Sequence, residues 1–214
     1  MTDTDHIIDP NGDMILTLEN PGAPFAVWHH DDANTSSTAL NQTKNPDRVT
    51  FRVSSRHLSL ASARSTKMRH RWDEKKKADG YLHISVEDWD TEALLIVLNI
   101  VHLRNRKVPC IVTLEMLSKL AVVADYFEFH EAVEPFSNTW IARLHPALPT
   151  SYNRDLILWI WVSHVFNANL LLKKLTYTAV QCCPGKMQDL GLPIPRSIVE
   201  KVNNKRVAAA AKLA

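Results

Sequence analysis

The sequence predicts an α+β fold, in which a small sheet with a hairpin and capping helices is followed by an all-helical extension. Residues 49–53 alternate between apolar and polar side chains, which is typical of a half-buried strand. Residues 91–101 are strongly apolar and follow an acidic cap, which predicts a helix in the middle of the core. From Pro146 onward only helical patterns occur. The composition, 45% hydrophobic and 22% charged over 214 residues, is that of a chain that folds.

Two strands near the start of the chain are predicted to form the hairpin. The first covers residues 13–18, an aliphatic run between two turn sequences rich in Asn, Gly and Pro. The second covers the alternating residues 49–53. The stretch between the two strands is rich in Asn, Ser, Thr and Asp, so we expect residues 31–48 to form a mobile loop inserted into the hairpin.

Helices and a third strand are predicted to follow. Ser54 and Ser55 carry hydroxyl groups that can cap a helix beginning near His57. A third strand is predicted over residues 83–86, and Asp90 is placed to cap the aliphatic helix that comes next. These elements complete the predicted sheet and its first two helices.

The remaining helices are predicted from their caps and their periodicity. Thr113 can cap a helix in which apolar residues recur at steps of three and four. Three more helices are predicted over residues 154–166, 168–180 and 196–207. The predicted organisation is a tail over 1–10, a domain over 11–145, a helical extension over 146–207 and a tail over 208–214.

Charge and cysteine usage exclude several classes of function. The 25 basic and 23 acidic residues give a formal net charge of +2, which provides no global field for nucleic acid or for an anionic membrane. Three cysteines without paired spacing predict neither a disulfide framework nor a zinc site. The acidic segment 1–10 has no apolar centre of a secretory signal, so we expect a cytoplasmic or nuclear location. Residues 156–172 are apolar but interrupted by polar side chains, which favours a buried helix over a membrane span.

Four motifs in order resemble the BTB/POZ family, and together they cover roughly residues 10 to 145. They are the acidic residue and aliphatic strand Asp13–Leu18, the strand and His-Leu-x-Leu-Ala-Ser turn Phe51–Ser62, the strand and capped aliphatic helix Ile84–Val101, and the Leu-x-x-Leu-Ala-x-x-Ala-Asp-Tyr helix Leu117–Tyr126. When the helix that begins at Arg154-Asp155 is included, the chain resembles members of a branch of this family that is common in fungal genomes. One departure is Ser65, where the family places a large apolar residue.

The resemblance implies a protein-interaction module that self-associates as a homodimer and docks protein partners, including the cullin scaffold of a ubiquitin ligase. It also implies that His57 packs and hydrogen-bonds the junction between strand and helix. A catalytic role for His57 is conceivable because serines flank it, but the sequence has no nucleophile elbow and no third partner. We therefore predict no enzymatic activity and no cofactor. The residues expected to have structural roles are His57, Leu58, Ala61, Ser62 and Asp125.

A partner-binding site is suggested by Trp72, Asp73 and Glu74. This sequence resembles the apolar-x-acidic element with which some BTB domains dock on a cullin, and an exposed Trp beside a carboxylate suits a binding hot spot. An alternative, which we weight equally with partner binding, is that Trp72 is a lid residue that covers the core. Both interpretations place this segment on the outside of the predicted domain.

Basic residues are concentrated just before and after Trp72. They permit an alternative, in which the protein is a nuclear transcription-associated factor that contacts nucleic acid. A run of basic residues is more often a solvated surface, so nucleic acid is not the favoured partner. A second polar cluster, His29 to Asp32, could bind a divalent metal weakly, although a solvated loop is favoured. The predicted basic patch consists of Arg64, Lys67, Arg69, Arg71, Lys75, Lys76 and Lys77.

Overall fold

A computed structural model of the chain describes residues 4–28, 47–62, 64–65 and 78–211. Within these residues it contains a four-stranded sheet and seven α-helices, which confirms the mixed α+β class. The chain divides into two compact units. The first unit comprises Met1–Pro24, His29–Pro109 and Val123–Val133, and the second comprises Phe25–Trp28, Cys110–Val122 and Glu134–Ala214.

The sheet belongs to the first unit, and its strand order is β1-β3-β2-β4. Strands β2 and β3 are antiparallel, with Met14 opposite Val53, which confirms the predicted hairpin. Strand β4 pairs with β2 in parallel, and β1 pairs with β3 in parallel. The strands are β1 (His6–Ile7), β2 (Met14–Glu19), β3 (Arg48–Val53) and β4 (Leu82–Glu87).

The alternating pattern of β3 has the expected consequence for burial. Val49, Phe51 and Val53 are buried, while Thr50 and Arg52 are half-buried on the opposite face. Strand β1 was not predicted, and it lies within the segment 1–10 that was interpreted as a tail. Arg48 was placed in the mobile loop but belongs to β3, while residues 31–46 of that predicted loop lie outside the described residues.

Two helices of the first unit begin at the predicted caps. Helix α1 (Ser55–Ala61) follows Ser54, whose hydroxyl accepts a hydrogen bond from the His57 N–H at 3.4 Å. Helix α2 (Thr91–Val101) follows Asp90, whose carboxylate accepts from the Ala93 N–H at 3.0 Å. The residues of α2 are buried except at its first turn and at Leu95, so the aliphatic helix lies in the core as predicted.

Five further helices complete the fold. A hydrogen bond of 3.1 Å from the Met116 N–H to the Thr113 hydroxyl confirms the predicted cap of the first of them. Two 3₁₀ turns, Asn105–Lys107 and His145–Ala147, lie between the helices. The helices are α3 (Leu114–Phe127), α4 (His130–Leu144), α5 (Arg154–Val165), α6 (Asn169–Cys182) and α7 (Arg196–Ala210), so the last helix continues through Ala210 into the segment predicted as a tail.

Helix α5 is the buried helix of the second unit. Every residue from Leu156 to Ser163 is buried, and the indole N–H of Trp161 donates to the Ser118 carbonyl at 3.2 Å. At its first residue, the Arg154 guanidinium donates to the carbonyl groups of Phe25 and Ala26 and to the Glu115 carboxylate. None of the helices in the described part of the chain combines the length and the apolar character that a membrane span requires.

Candidate interaction surfaces

The junction between β3 and α1 is held by the carboxylate of Asp13, the residue immediately before β2. The two oxygens of Asp13 accept hydrogen bonds from the N–H and the hydroxyl of Ser55, at 2.8 and 2.7 Å. Ser55 is fully buried, so these bonds satisfy two donors that water cannot reach. The Ser55 hydroxyl thus donates its hydrogen bond to Asp13. The bond from the Ser55 N–H to Asp13, at the first residue of α1, acts as a helix cap.

His57 lies at the same junction and stacks on a second histidine. The His57 and His102 rings are 4.9 Å apart between centroids and inclined by 25°. His102 immediately follows α2; its Nε2 accepts from the Ser54 N–H at 3.0 Å, and its Nδ1 lies 2.8 Å from the Leu98 carbonyl. The first bond requires a bare Nε2 and the second a protonated Nδ1, so His102 is assigned as the neutral Nδ1–H tautomer.

Burial reinforces the neutral state of His102. Desolvation lowers the pKa of His102 below its ordinary value, and the nearby His57 lowers it further, against the opposing effects of the Leu98 carbonyl and Asp9. The sequence singled out His57 but missed His102, which makes the two hydrogen bonds. The only feature of the sequence that could have pointed to His102 is its position directly after the aliphatic helix.

The other residues expected to have structural roles lie in the same unit. Leu58 is fully buried, Ala61 is half-buried, and the Ser62 hydroxyl accepts from the Ser65 N–H at 3.1 Å. Ser65, at the position where a large apolar residue was expected, is itself fully buried. Asp125 lies near the end of α3, with a carboxylate oxygen 3.8 Å from Nε2 of His130.

Arg64 is the one member of the predicted basic patch that the structure describes. Its guanidinium lies 5.2 Å from the centre of the Tyr126 ring and 3.6 Å from the Glu128 carboxylate. These contacts engage Arg64 within its own unit. The rest of the patch, Lys67 to Lys77, and the predicted partner site Trp72, Asp73 and Glu74 lie outside the described residues.

An aromatic cluster in the first unit borders a shallow depression. Trp89 meets Tyr126 edge to face at 5.0 Å and Phe127 at 5.8 Å. The depression has a volume of about 370 Å³, and Glu19 and Glu87 contribute carboxylates to its lining. Its small size and acidic border suit it less well to a protein segment than the larger groove in the second unit.

The larger groove lies between α6 and α7 of the second unit, and its volume is about 900 Å³. Val202 forms its buried floor, and Ile198 and Val180 are half-buried. At its border, the Leu170 side chain is 87% exposed and the Tyr177 side chain 63% exposed. Large apolar side chains of α6 are thus left uncovered beside α7, which marks a candidate interaction surface.

Lysine side chains surround this apolar surface. Among the described residues, no carboxylate lies within 4.0 Å of their ammonium groups, and no Asp or Glu lines the groove. Glu200 is on α7 but is not part of the lining. The lysines of the groove are Lys173, Lys174, Lys201 and Lys205.

Metal binding was considered for the segment His29 to Asp32, which lies outside the described residues. In the part of the chain that the structure describes, no group of three or more His, Cys, Asp or Glu side chains is arranged to hold a metal ion. The three cysteines are free, and Cys183 is the buried one.

Comparisons with known proteins give no assignment. No protein-family model matches the sequence. A search of curated proteins finds no significant relative. The BTB/POZ resemblance therefore depends on the sequence motifs of this chain alone.

Proposed function

We propose that the chain is a protein-interaction module of the BTB/POZ type, which self-associates and docks partner proteins as an adaptor. A cullin-type ubiquitin ligase is the assembly we propose for it. The activity is binding rather than catalysis, and its energy comes from apolar and aromatic surface that the chain itself leaves uncovered.

The observation that supports this proposal is that three of the four resembling motifs, Asp13–Leu18, Phe51–Ser62 and Ile84–Val101, lie in the first unit. Asp13 immediately precedes β2 in the sequence, and its carboxylate caps α1, the helix that follows β3. The motif Phe51–Ser62 forms the strand and the helix expected of it, and Ile84–Val101 forms the next strand, cap and buried helix. The antiparallel pairing of β2 with β3 and the parallel pairing of β2 with β4 bring the strands of these three motifs into one sheet, which supports the family proposal.

Self-association is proposed to use α1, whose Leu60 side chain is 89% exposed. Light scattering at high micromolar concentration should give the mass of a dimer, and Leu60→Glu should shift it toward the monomer. Ile111→Glu is the matched control, because Ile111 is also strongly exposed but lies outside α1. A strictly monomeric native chain would contradict the self-association part of the proposal.

Cullin docking is proposed to use Trp72 and Glu74. Purified cullin should be recovered with the native chain, and recovery should fall for Trp72→Ala and for Glu74→Ala because an aromatic anchor or its neighbouring charge is lost. Lys186→Glu, at an exposed position far along the chain, is the control for a surface substitution. Unchanged recovery by both variants would reject these residues as the docking site.

A further inference from the structure

The groove between α6 and α7 combines two properties: exposed apolar side chains, and lysines that have no carboxylate partner among the described residues. Apolar exposure alone would permit many occupants. The four exposed lysines favour an acidic occupant, because their positive charge is complementary to carboxylates on the partner. We propose that this groove binds an acidic amphipathic helix of a partner protein.

The shape of the groove favours a helix as the occupant. The groove follows two packed helices, and an amphipathic helix lays its apolar face into such a surface with residues at spacings of three and four. The lining on α6 extends from Asn169 to Val180, which corresponds to about 17 Å of helix at the usual rise per residue. An occupant of three to four turns would therefore cover the apolar surface.

The arrangement of side chains assigns their roles in binding. Leu170 and Tyr177 are the exposed apolar anchors on α6, and Val202 closes the floor from α7. Lys173 and Lys174 stand on α6, and Lys201 and Lys205 stand on α7, so positive charge is present on both sides. Acidic residues on both flanks of the bound helix would each face lysines, while its apolar stripe would lie between them.

This inference goes beyond the proposed BTB function. The groove lies outside residues 11–145, the predicted BTB/POZ domain. The proposed helix binding therefore does not depend on the family resemblance. Self-association through α1 and helix binding at this groove are separable, because Leu60→Glu should change the mass of the assembly and leave peptide binding intact. A native chain that binds the peptide but is strictly monomeric would therefore reject only the self-association proposal.

The test uses the full chain and a synthetic, fluorescein-labelled peptide of about 16 residues, long enough for four turns. Leucines at steps of three and four form one face of the peptide, glutamates flank that face, and a hydrocarbon staple fixes the helix. Three further probes are a stapled peptide with the leucines redistributed around the helix, one with lysine in place of glutamate, and vesicles rich in phosphatidylglycerol. Binding is followed by fluorescence anisotropy for peptides and by co-sedimentation for vesicles.

Saturable binding of the acidic peptide by the native chain is expected, with weaker binding of the other two peptides. Leu170→Asp should weaken binding by about tenfold or more, since it places a carboxylate at an apolar anchor. The paired change Lys173→Glu and Lys205→Glu should weaken binding of the acidic peptide and improve binding of the lysine peptide. Lys186→Glu, which changes an exposed lysine that does not line the groove, should leave both affinities within about twofold of native, because salt screens interactions between exposed charges that are not in contact.

Several results would overturn the proposal. One is the absence of saturable binding of the acidic peptide by the native chain. Another is equal weakening by Lys186→Glu and by the paired lysine change, which would indicate general charge attraction. Vesicle binding without peptide binding would assign the groove to a lipid surface. A change of mass caused by Leu170→Asp in light scattering without peptide would assign it to a second copy of the chain.

Discussion

The junction between β3 and α1 and the groove between α6 and α7 use similar residue types in opposite ways. At the junction, Leu58 is buried and the polar side chains are hydrogen-bonded, as Asp13 is to Ser55. At the groove, Leu170 is exposed and the lysines have no carboxylate partner among the described residues. The side chains of the junction therefore contribute to folding, whereas the groove leaves apolar and charged side chains exposed.

The largest expected effect compares one leucine from each region. Leu58→Ala should lower the free energy of unfolding by about 2–5 kcal/mol, because it removes a fully buried side chain and leaves a cavity. Leu170→Ala should change it by less than about 0.5 kcal/mol, since the side chain is already in water. Chemical denaturation measures both. A similar loss in the free energy of unfolding for the two variants would contradict the expected difference between the junction and the groove.

Two glycines provide the next comparison. A Cβ at Gly12 would lie 2.5 Å from the Val53 carbonyl oxygen, whereas a Cβ at Gly185, between α6 and α7, would meet no atom within 4 Å. Gly12→Ala should therefore cost about 1–3 kcal/mol of stability through backbone displacement at the junction. Gly185→Ala should be neutral or slightly stabilising, because it restricts the unfolded chain. Equal thermal stability of Gly12→Ala and the native chain would disprove the close approach.

A smaller effect is expected from the cap at the junction. Asp13→Ala should lower the free energy of unfolding by about 1–2 kcal/mol, because Ser55 then loses both acceptors. Ser55→Ala removes the hydroxyl and keeps the N–H donor. A double-mutant cycle of the two substitutions should give a coupling of at least about 0.5 kcal/mol. Additive losses would show that the two side chains do not interact in solution.

The smallest expected effect is a dependence on pH that arises from His102. Its pKa is held below the ordinary 6.5 in the folded protein, so the unfolded chain binds the proton first as pH falls. The free energy of unfolding should therefore decrease as pH falls through about 6.5 and stay low below the folded pKa. His102→Gln should flatten this dependence in denaturation curves recorded between about pH 5 and 8, the range in which histidine titrates. Parallel profiles for the variant and the native chain would contradict this assignment.

Much of the fold could be predicted because it depends on local patterns. The alternation along β3 determines which side chains it buries, and the caps at Asp90 and Thr113 act on the next three residues of their own helices. Strand β1 was missed because two residues are too short to show a period. The start of helix α5 was predicted, but the contacts of Arg154 with Phe25 and Ala26 join segments far apart in sequence.

The candidate sites could be predicted less well, for a physical reason. His57 was recognisable from its motif, but the bond of His102 to the Ser54 N–H spans 48 residues and has no sequence pattern. The helical period of α6 was visible, yet which face remains uncovered depends on where α7 packs. The exposure of Leu170 and Tyr177 beside four lysines is therefore a property of the folded helix pair.

The central claim is that the groove is available to an acidic helix, whereas the hydrogen-bonded side chains of the junction are not. Backbone amide NMR of the labelled chain during titration with the acidic stapled peptide tests it most directly. We expect chemical-shift changes concentrated in residues 169–180 and 197–205, with the amides of Ser54, Ser55 and His57 unchanged. Changes centred on the junction, or spread evenly over both regions, would contradict the account.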